Sequence, residues 1–155
     1  FTLHRETGEP IWPIKEREVP QSTVPGEQSS PTQPFPEKPR QLIGNTLTKD
    51  DAWGLYWGDK SACAEIIEGL YFDGMYTPPQ LNKPTLMYPG NAGGSNWGGV
   101  AVDPERQILI ANTMDIPWVV TLFPGEEYEQ AREDNPGAEI SRQAGTPYAM
   151  RRELL

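Results

Sequence analysis

Short runs of alternating apolar and polar residues fill the chain from residue 69 onward and predict β-strands. Five segments carry the β-branched and aromatic residues that favour strands, namely 70–75, 85–88, 99–102, 108–112 and 118–123. Between two of them, Asp103-Pro104-Glu105-Arg106 has proline at the second position of a turn and so predicts a hairpin. Short strands at nearly even spacing are typical of sandwiches, barrels and propellers. The pattern therefore predicts a mostly β protein.

The segments before residue 47 are less regular. Residues 1–13 predict a strand, a turn at Gly8 and a second strand, and the alternation of Phe1 and Leu3 predicts one buried strand face. Residues 15–46 are rich in proline, serine and glutamine. Two interpretations of them stay open: a disordered linker, or an ordered extended loop held to a larger body through Pro34-Phe35-Pro36.

Short helices are predicted in two places. Between residues 47 and 68, Thr48 is a candidate N-cap, and Asp59 or Ser61 begins a second helix. That second helix is expected to carry its apolar residues on one buried side, which makes its cysteine a small hydrophobe; these residues are Ala62, Cys63, Ile66 and Ile67. Residues 126–134 predict an acidic helix that ends at 135–137, and residues 144–155 predict the beginning of a further loop or strand.

Composition and charge narrow the class of protein. The 155 residues include 17 prolines and 15 glycines, which argues against helical bundles and coiled coils. The net charge of −9 disfavours a nucleic-acid partner, because phosphate contacts require basic side chains. The single cysteine excludes an internal disulfide and a zinc knuckle, and no apolar run is long enough to span a bilayer.

Residues 88–99, here called the glycine-rich loop, carry the candidate chemistry. Their sequence is YPGNAGGSNWGG, and the glycines allow a flat ligand to approach the backbone. Asn96 offers both a hydrogen-bond donor and an acceptor, while Trp97 offers a broad apolar face with one N–H group. We interpret the loop as a candidate site for a planar polar cofactor or a sugar ring. The alternative interpretation is a glycine-rich turn beside a core tryptophan. A phosphate site is disfavoured, because the lysine of the GxxxxGK[ST] motif is absent.

Several motifs in the same order resemble one known family. They are RETGEPIWP at 5–13, SPTQPFP at 30–36, and the block from the glycine-rich loop through Asp103-Pro104. The chain is similar in these motifs to the membrane-associated PQQ-dependent dehydrogenases of the glucose, quinate and shikimate group, which are eight-bladed β-propeller quinoproteins. The resemblance implies a partial propeller of about two blades, with a long proline-rich loop and short helical insertions.

The resemblance also implies a division of residues 1–155 within one propeller domain. Residues 1–14 are expected to end a blade, 15–46 to form the proline-rich insertion, and 47–68 the short helices. Residues 69–124 are expected to form blade strands with the cofactor-side loop, and 125–155 an acidic helix and the start of the next segment. The chain is accordingly expected to be a piece of a larger enzyme and inactive alone, with the remaining blades as its partners.

For function, the resemblance implies oxidation of a sugar, polyol or cyclic alcohol by hydride transfer to PQQ, with calcium polarising the quinone. Electrons are expected to pass to ubiquinone, at the periplasmic face of the inner membrane. Asn96 is expected to hydrogen-bond PQQ, Trp97 to wall its cavity, and Asn91 to contribute less. No catalytic residue or calcium ligand is assigned, because those are expected from other segments. The alternatives are a non-catalytic β module that binds a carbohydrate or a protein, and an inactive propeller fragment.

Overall fold

The computed structural model describes residues 1–155, which form three β-sheets and two α-helices. The strands are β1 (Ile14–Glu18), β2 (Thr32–Pro36), β3 (Thr85–Met87), β4 (Val100–Asp103), β5 (Ile108–Ala111), β6 (Trp118–Pro124), β7 (Glu139–Arg142) and β8 (Tyr148–Leu154). The helices are α1 (Asp59–Gly69) and α2 (Tyr128–Asp134). One sheet has four strands in the order β3-β6-β8-β7, while β1-β2 and β4-β5 are separate pairs. The prediction of a mostly β protein is confirmed.

The core of the molecule lies in the four-stranded sheet. Only 11 of the 155 residues are buried. The most deeply enclosed are Thr85 and Leu86 on β3, Val120 on β6 and Ala149 on β8, each at most 1% exposed. These β-branched and aliphatic side chains fit the half-buried surface of a pleated sheet, which explains why the strand pattern was readable here. The small core leaves many large apolar side chains of other elements in solvent.

Strand β8 lies between β6 and β7 in this sheet and pairs antiparallel with both. Arg152 on β8 stands opposite Glu139 on β7, and the two side chains form an ion pair. Opposite charges directly across a strand pair stabilise its register. Residues 144–155 therefore contribute the predicted further strand, which is β8. They complete a sheet whose other strands lie on both sides of the boundary expected at residue 124.

The proline-rich segment contains an antiparallel hairpin, β1 with β2, rather than a disordered linker or a loop without strands. Outside the ladder, Val19 N–H donates to the Pro31 carbonyl at 3.1 Å and Glu37 N–H to the Pro13 carbonyl at 3.0 Å. Bonds in such a pair fall on every second residue, so Pro34 and Pro36 occupy positions that need no N–H group. The proposed attachment point is confirmed in part, since the Phe35 ring meets Tyr76 edge-on at 5.4 Å.

Three predicted strands are wrong, two of them in residues 1–13 and one at residues 70–75. Near the amino terminus, a single bridge joins Leu3 to Pro10, and Phe1 is 66% exposed, so no buried strand face exists. Residues 70–75 form only one bridge, from Tyr71 to Thr85, before a turn at Gly74. That turn has a left-handed residue, with φ of 89° at Gly74, a conformation that ends an extended strand.

The helices begin close to the predicted residues. Thr48 precedes a 3₁₀ turn (Lys49–Asp51), and a second 3₁₀ turn (Gly125–Glu127) leads into α2. Helix α1 follows Gly58, and the Asp59 carboxylate accepts hydrogen bonds from the backbone of the preceding turn. Its predicted buried side is only partly confirmed. Ile67 is buried and Cys63 half-buried, but Ala62 and Ile66 are exposed. Neither helix has the length and apolar character needed to cross a bilayer.

Candidate functional site

The glycine-rich loop connects β3 to β4 and is built from two tight turns. Gly93 N–H donates to the Gly90 carbonyl at 3.1 Å, and Gly99 N–H donates to the Asn96 carbonyl at 3.0 Å. The Asn96 side chain joins the turns, because its Nδ2 donates to the Ala92 carbonyl at 3.0 Å. Asn96 therefore has a fixed orientation although it lies outside any helix or strand.

All three predicted site residues are exposed at this loop. Trp97 is 97% exposed, and Asn91 and Asn96 also face solvent. The interpretation as a turn beside a core tryptophan is wrong, since Trp97 contacts no core. Asn96 keeps its Oδ1 acceptor and one of its Nδ2 hydrogens free, because the only hydrogen bond of its side chain is the one to Ala92. Asn96 and Trp97 are thus brought together as neighbours, and their polar and aromatic groups are available to a ligand.

A further amide lies beside them. The Asn112 side chain follows β5, and its Nδ2 lies 3.9 Å from the position that a Cβ on Gly98 would occupy. No motif in the sequence distinguishes Asn112 from an ordinary polar residue after a strand. The register Val100↔Ala111 brings it to the same end of the hairpin as the loop.

A cavity of about 640 Å³ lies elsewhere, between α2 and the four-stranded sheet. Its lining is mostly polar and includes Thr121, Gln130, Asp134 and Arg151. None of the predicted site residues lines it. The candidate site is therefore an open surface at the glycine-rich loop rather than an enclosed pocket.

Two ionisable groups near the loop have shifted pKa values. Burial raises the pKa of Tyr88, at the start of the loop, and the Asp115 and Asp51 carboxylates raise it further. At the far end of β4, the Asp103 pKa is lowered by hydrogen bonds from the backbone and side chain of Arg106. Tyr88 therefore stays a neutral hydroxyl at physiological pH, and Asp103 stays a carboxylate.

The hairpin that follows the loop exposes apolar side chains on both of its faces. Directly opposed residues share a face, which places Val102 with Leu109 and Ile110 with Ala101. Val102 is 62% exposed and Ile110 64% exposed. A contiguous apolar surface of this kind marks a region that another part of a protein covers.

The whole chain matches one known protein family. The family model described as "PQQ: Glucose/ethanol/alcohol dehydrogenase, beta-propeller domain" matches residues 1–155, which is the whole chain. The chain belongs to this PQQ β-propeller family. The resemblance inferred from the motifs is thereby confirmed.

Relatives within the PQQ β-propeller family carry several substrate names. The chain is 38% identical over 160 residues to the quinoprotein glucose dehydrogenase of Escherichia coli K12, covering 97% of this chain and 19% of that protein. It is 36% identical to the glycerol dehydrogenase large subunit of Gluconobacter oxydans 621H, covering 97% of this chain and 22% of that protein. It is 32% identical to a probable quinate dehydrogenase (quinone) of Xanthomonas campestris pv. juglandis, covering 97% and 20%. The chain thus spans only a small part of these relatives. No solved structure matches it.

The donor set at the glycine-rich loop fits the cofactor after which the family is named. PQQ is a planar quinone with polar edges, so a flat apolar contact suits its ring and hydrogen-bonding groups suit its edges. Trp97 supplies the flat surface, and Asn96 supplies a free acceptor and a free donor hydrogen. Gly99, which follows them, has open space at the position of its missing Cβ. No group of three or more His, Cys, Asp or Glu side chains is arranged to hold a metal ion.

Proposed function

We propose that the full-length protein containing this chain is a PQQ-dependent dehydrogenase, and that the glycine-rich loop contacts its cofactor. The observation that carries the proposal is the pairing of a fully exposed indole with an amide whose orientation is fixed, in a chain that belongs to the PQQ β-propeller family. An exposed tryptophan is costly to leave in water, which favours a planar ligand or a neighbouring segment as its contact.

In the proposed reaction, the residues of this chain bind the cofactor and orient it. Asn96 hydrogen-bonds a polar edge of the cofactor, and Trp97 covers part of one face and excludes water from it. Asn91 makes a weaker polar contact from the same loop. When bound, the cofactor would supply the hydride acceptor that oxidation of an alcohol needs. The catalytic base lies in another segment, and so do the ligands of a calcium ion.

The substrate class we propose is a sugar, a polyol or a cyclic alcohol. Its support is the range of named relatives, which include glucose, glycerol and quinate dehydrogenases. We further propose ubiquinone as the electron acceptor and the periplasmic face of the inner membrane as the location, on the resemblance to the membrane-associated group. The assignment of residues 1–155 to about two blades, with the five-part division given above, belongs to the same proposal.

The test is a titration of the full-length protein with PQQ in the presence of calcium, followed by dye reduction with glucose, glycerol and quinate. Asn96→Asp is the sharpest variant, because it keeps the shape of the side chain and adds a negative charge beside the carboxylates of PQQ. We expect PQQ affinity to fall roughly tenfold or more, as like charges brought together at an interface cost several kcal/mol. Trp97→Ala is expected to weaken binding by a similar factor through lost apolar contact.

Trp57→Ala is the matched control, since Trp57 is equally exposed but lies outside the glycine-rich loop. PQQ affinity and activity that stay unchanged in both loop variants would remove Asn96 and Trp97 from the cofactor site. Absence of any PQQ binding by the full-length protein would favour the alternative of a non-catalytic β module.

A further inference from the structure

Hydrogen bonds and close packing attach the glycine-rich loop to two segments that are distant from it or from each other in sequence. Gly90 N–H donates to the Ile116 carbonyl at 2.9 Å, and Met114 N–H donates to the Gly94 carbonyl at 2.7 Å. Both bonds tie the loop to residues 113–117, which connect β5 to β6. The loop is thus held at its beginning and at its middle by one connecting segment.

The second segment is residues 41–45, which follow the proline-rich hairpin. Ile43 packs against the backbone of Gly94 so closely that a Cβ there would stand 2.2 Å from Ile43 Cδ1 and 2.8 Å from its Cγ2. Rotation about the Cβ–Cγ1 bond of Ile43 moves Cδ1 but leaves Cγ2 in place, so it does not remove the contact with Cγ2. Gly94 lies two residues before Asn96, and its contact with Ile43 therefore fixes the backbone from which Asn96 and Trp97 project.

One side chain joins the two segments to each other. The Asp115 carboxylate accepts a hydrogen bond from Gly44 N–H at 3.1 Å, across 71 positions of sequence. The loop contacts Met114 and Ile116 on the first segment and Ile43 on the second. Gly44 and Asp115 are sequence neighbours of these residues, so their hydrogen bond links the two segments beside the loop. Hydrogen bonds to a charged acceptor are stronger than neutral ones, which suits Asp115 to hold this arrangement.

We propose that Asp115 and Ile43 are positioning residues that hold the glycine-rich loop in the conformation competent for PQQ. The inference rests on the proposed function of Asn96 and Trp97. Neither residue belongs to the loop, so they act through Gly44 and Gly94. A loop held in its bound conformation binds more tightly, because its ordering cost is met before the ligand arrives.

Three variants of the full-length protein test this. Asp115→Ala removes the acceptor of Gly44 N–H, whereas Asp115→Asn keeps an oxygen at the same place. Gly94→Ala places a methyl group into Ile43. We expect Asp115→Ala and Gly94→Ala each to weaken PQQ binding roughly tenfold in equilibrium dialysis, the loss that corresponds to one charge-assisted hydrogen bond or one overpacked contact. Asp115→Asn is expected to recover part of the affinity, because its amide oxygen accepts the same hydrogen bond without the charge.

Rescue separates positioning from a general loss of folding. The double variant Gly94→Ala with Ile43→Ala removes the clash and is expected to bind PQQ more tightly than Gly94→Ala alone. Two controls lie outside the arrangement. Gly137→Ala adds a methyl group where no atom lies within 4 Å. Asp50→Ala removes an exposed carboxylate that makes no hydrogen bond or ion pair. Both are expected to leave PQQ affinity unchanged, and the visible absorption of bound PQQ reports any change in its surroundings.

The outcomes distinguish the two proposals. If Asn96→Asp weakens PQQ binding but Asp115→Ala and Gly94→Ala do not, the positioning role is overturned and the cofactor role of the loop stands. If Asn96→Asp has no effect, the proposed function of the loop fails first. A drop in affinity for Gly94→Ala without recovery in the double variant would also overturn the role of Ile43.

Discussion

Asn96 combines two uses of one side chain. Its Nδ2 donates a hydrogen bond to the Ala92 carbonyl at 3.0 Å, while its Oδ1 and the second Nδ2 hydrogen stay free. A side chain already fixed by its own loop loses little rotamer freedom when it binds a ligand. Trp97 adds a large rigid surface with few rotatable bonds. At the scale of single residues, the proposed site therefore depends on local order rather than on burial.

Gly90 is the residue whose side-chain absence is most strictly required. A Cβ there would lie 2.0 Å from Trp118 Cδ1 and 2.4 Å from the Ile116 carbonyl oxygen. We expect Gly90→Ala to lower the free energy of unfolding by about 2–3 kcal/mol, as overpacking of an interior site does. Thermal unfolding of the full-length protein measures it. Gly69→Ala is the control, since no atom lies within 4 Å of its added methyl. Equal melting temperatures for the two variants would contradict the prediction.

Asp103 gives a prediction in pH. Its carboxylate accepts bonds from Arg106 N–H at 3.0 Å, from the Arg106 guanidinium at 2.7 Å and from Glu105 N–H at 3.1 Å. These bonds hold its pKa below the ordinary value of 3.8. The stability that they contribute is present in full above pH 3.8 and is lost as pH falls through the lower folded pKa. A carbon-13 NMR titration is expected to give a midpoint below 3.8, and a midpoint at or above it would show that the turn does not hold the carboxylate.

At the scale of elements, the β4–β5 hairpin is more apolar than an isolated ribbon in water should be. Val102 and Ile110 lie on opposite faces, and each is more than half exposed. A two-stranded sheet of this kind is marginal alone and requires further strands or a packed layer. We expect other segments of the full-length protein to cover both of its faces.

Substitution on the hairpin tests this expectation. Ile110→Thr keeps the β-branched shape and the strand preference but replaces the ethyl group by a hydroxyl. In the full-length protein, where we expect other segments to cover Ile110, the substitution should lower the free energy of unfolding by about 1–3 kcal/mol, because a hydroxyl is then removed from water. In the isolated chain, where Ile110 is exposed, the same change should be close to neutral. The measurement is the shift in melting temperature in the full-length protein and in the isolated chain. An equal shift would mean that the hairpin is as exposed in the full-length protein as in the isolated chain.

The strands and turns that can be predicted from the sequence are those where one local signal, such as apolar alternation or a proline, dominates. The strands β3 to β6 follow from apolar alternation, and the turn at Asp103 follows from its proline. The β1–β2 hairpin was missed because Pro34 and Pro36 usually argue against a strand, and only the pairing register shows that their N–H groups are not needed. In the site, residue type alone singled out Asn96 and Trp97. Ile43 and Asp115 carry no such signal, because their contacts to Gly94 and Gly44 cross 50 or more positions.

At the scale of the whole molecule, exposed apolar area and charge oppose each other. Tryptophans 53, 57 and 97 are 73%, 102% and 97% exposed, while the net charge is −9. Exposed aromatic surface favours association, and like charge between copies resists it. We expect the isolated chain to self-associate in solution, and more so as salt screens the repulsion. Sedimentation velocity at low and high salt measures this. A monodisperse monomer at both salt concentrations would mean that these aromatic surfaces are stable in contact with water.

The position of β8 has a consequence for the order of assembly. Its neighbours β6 and β7 both precede it in the chain, so during synthesis each leaves the ribosome before the strand that lies between them. Until residues 148–154 are made, β6 presents an open edge along Trp118–Pro124 that can pair with another chain. A chain released after truncation before Tyr148 would therefore keep this β6 edge unpaired and open to association with another chain.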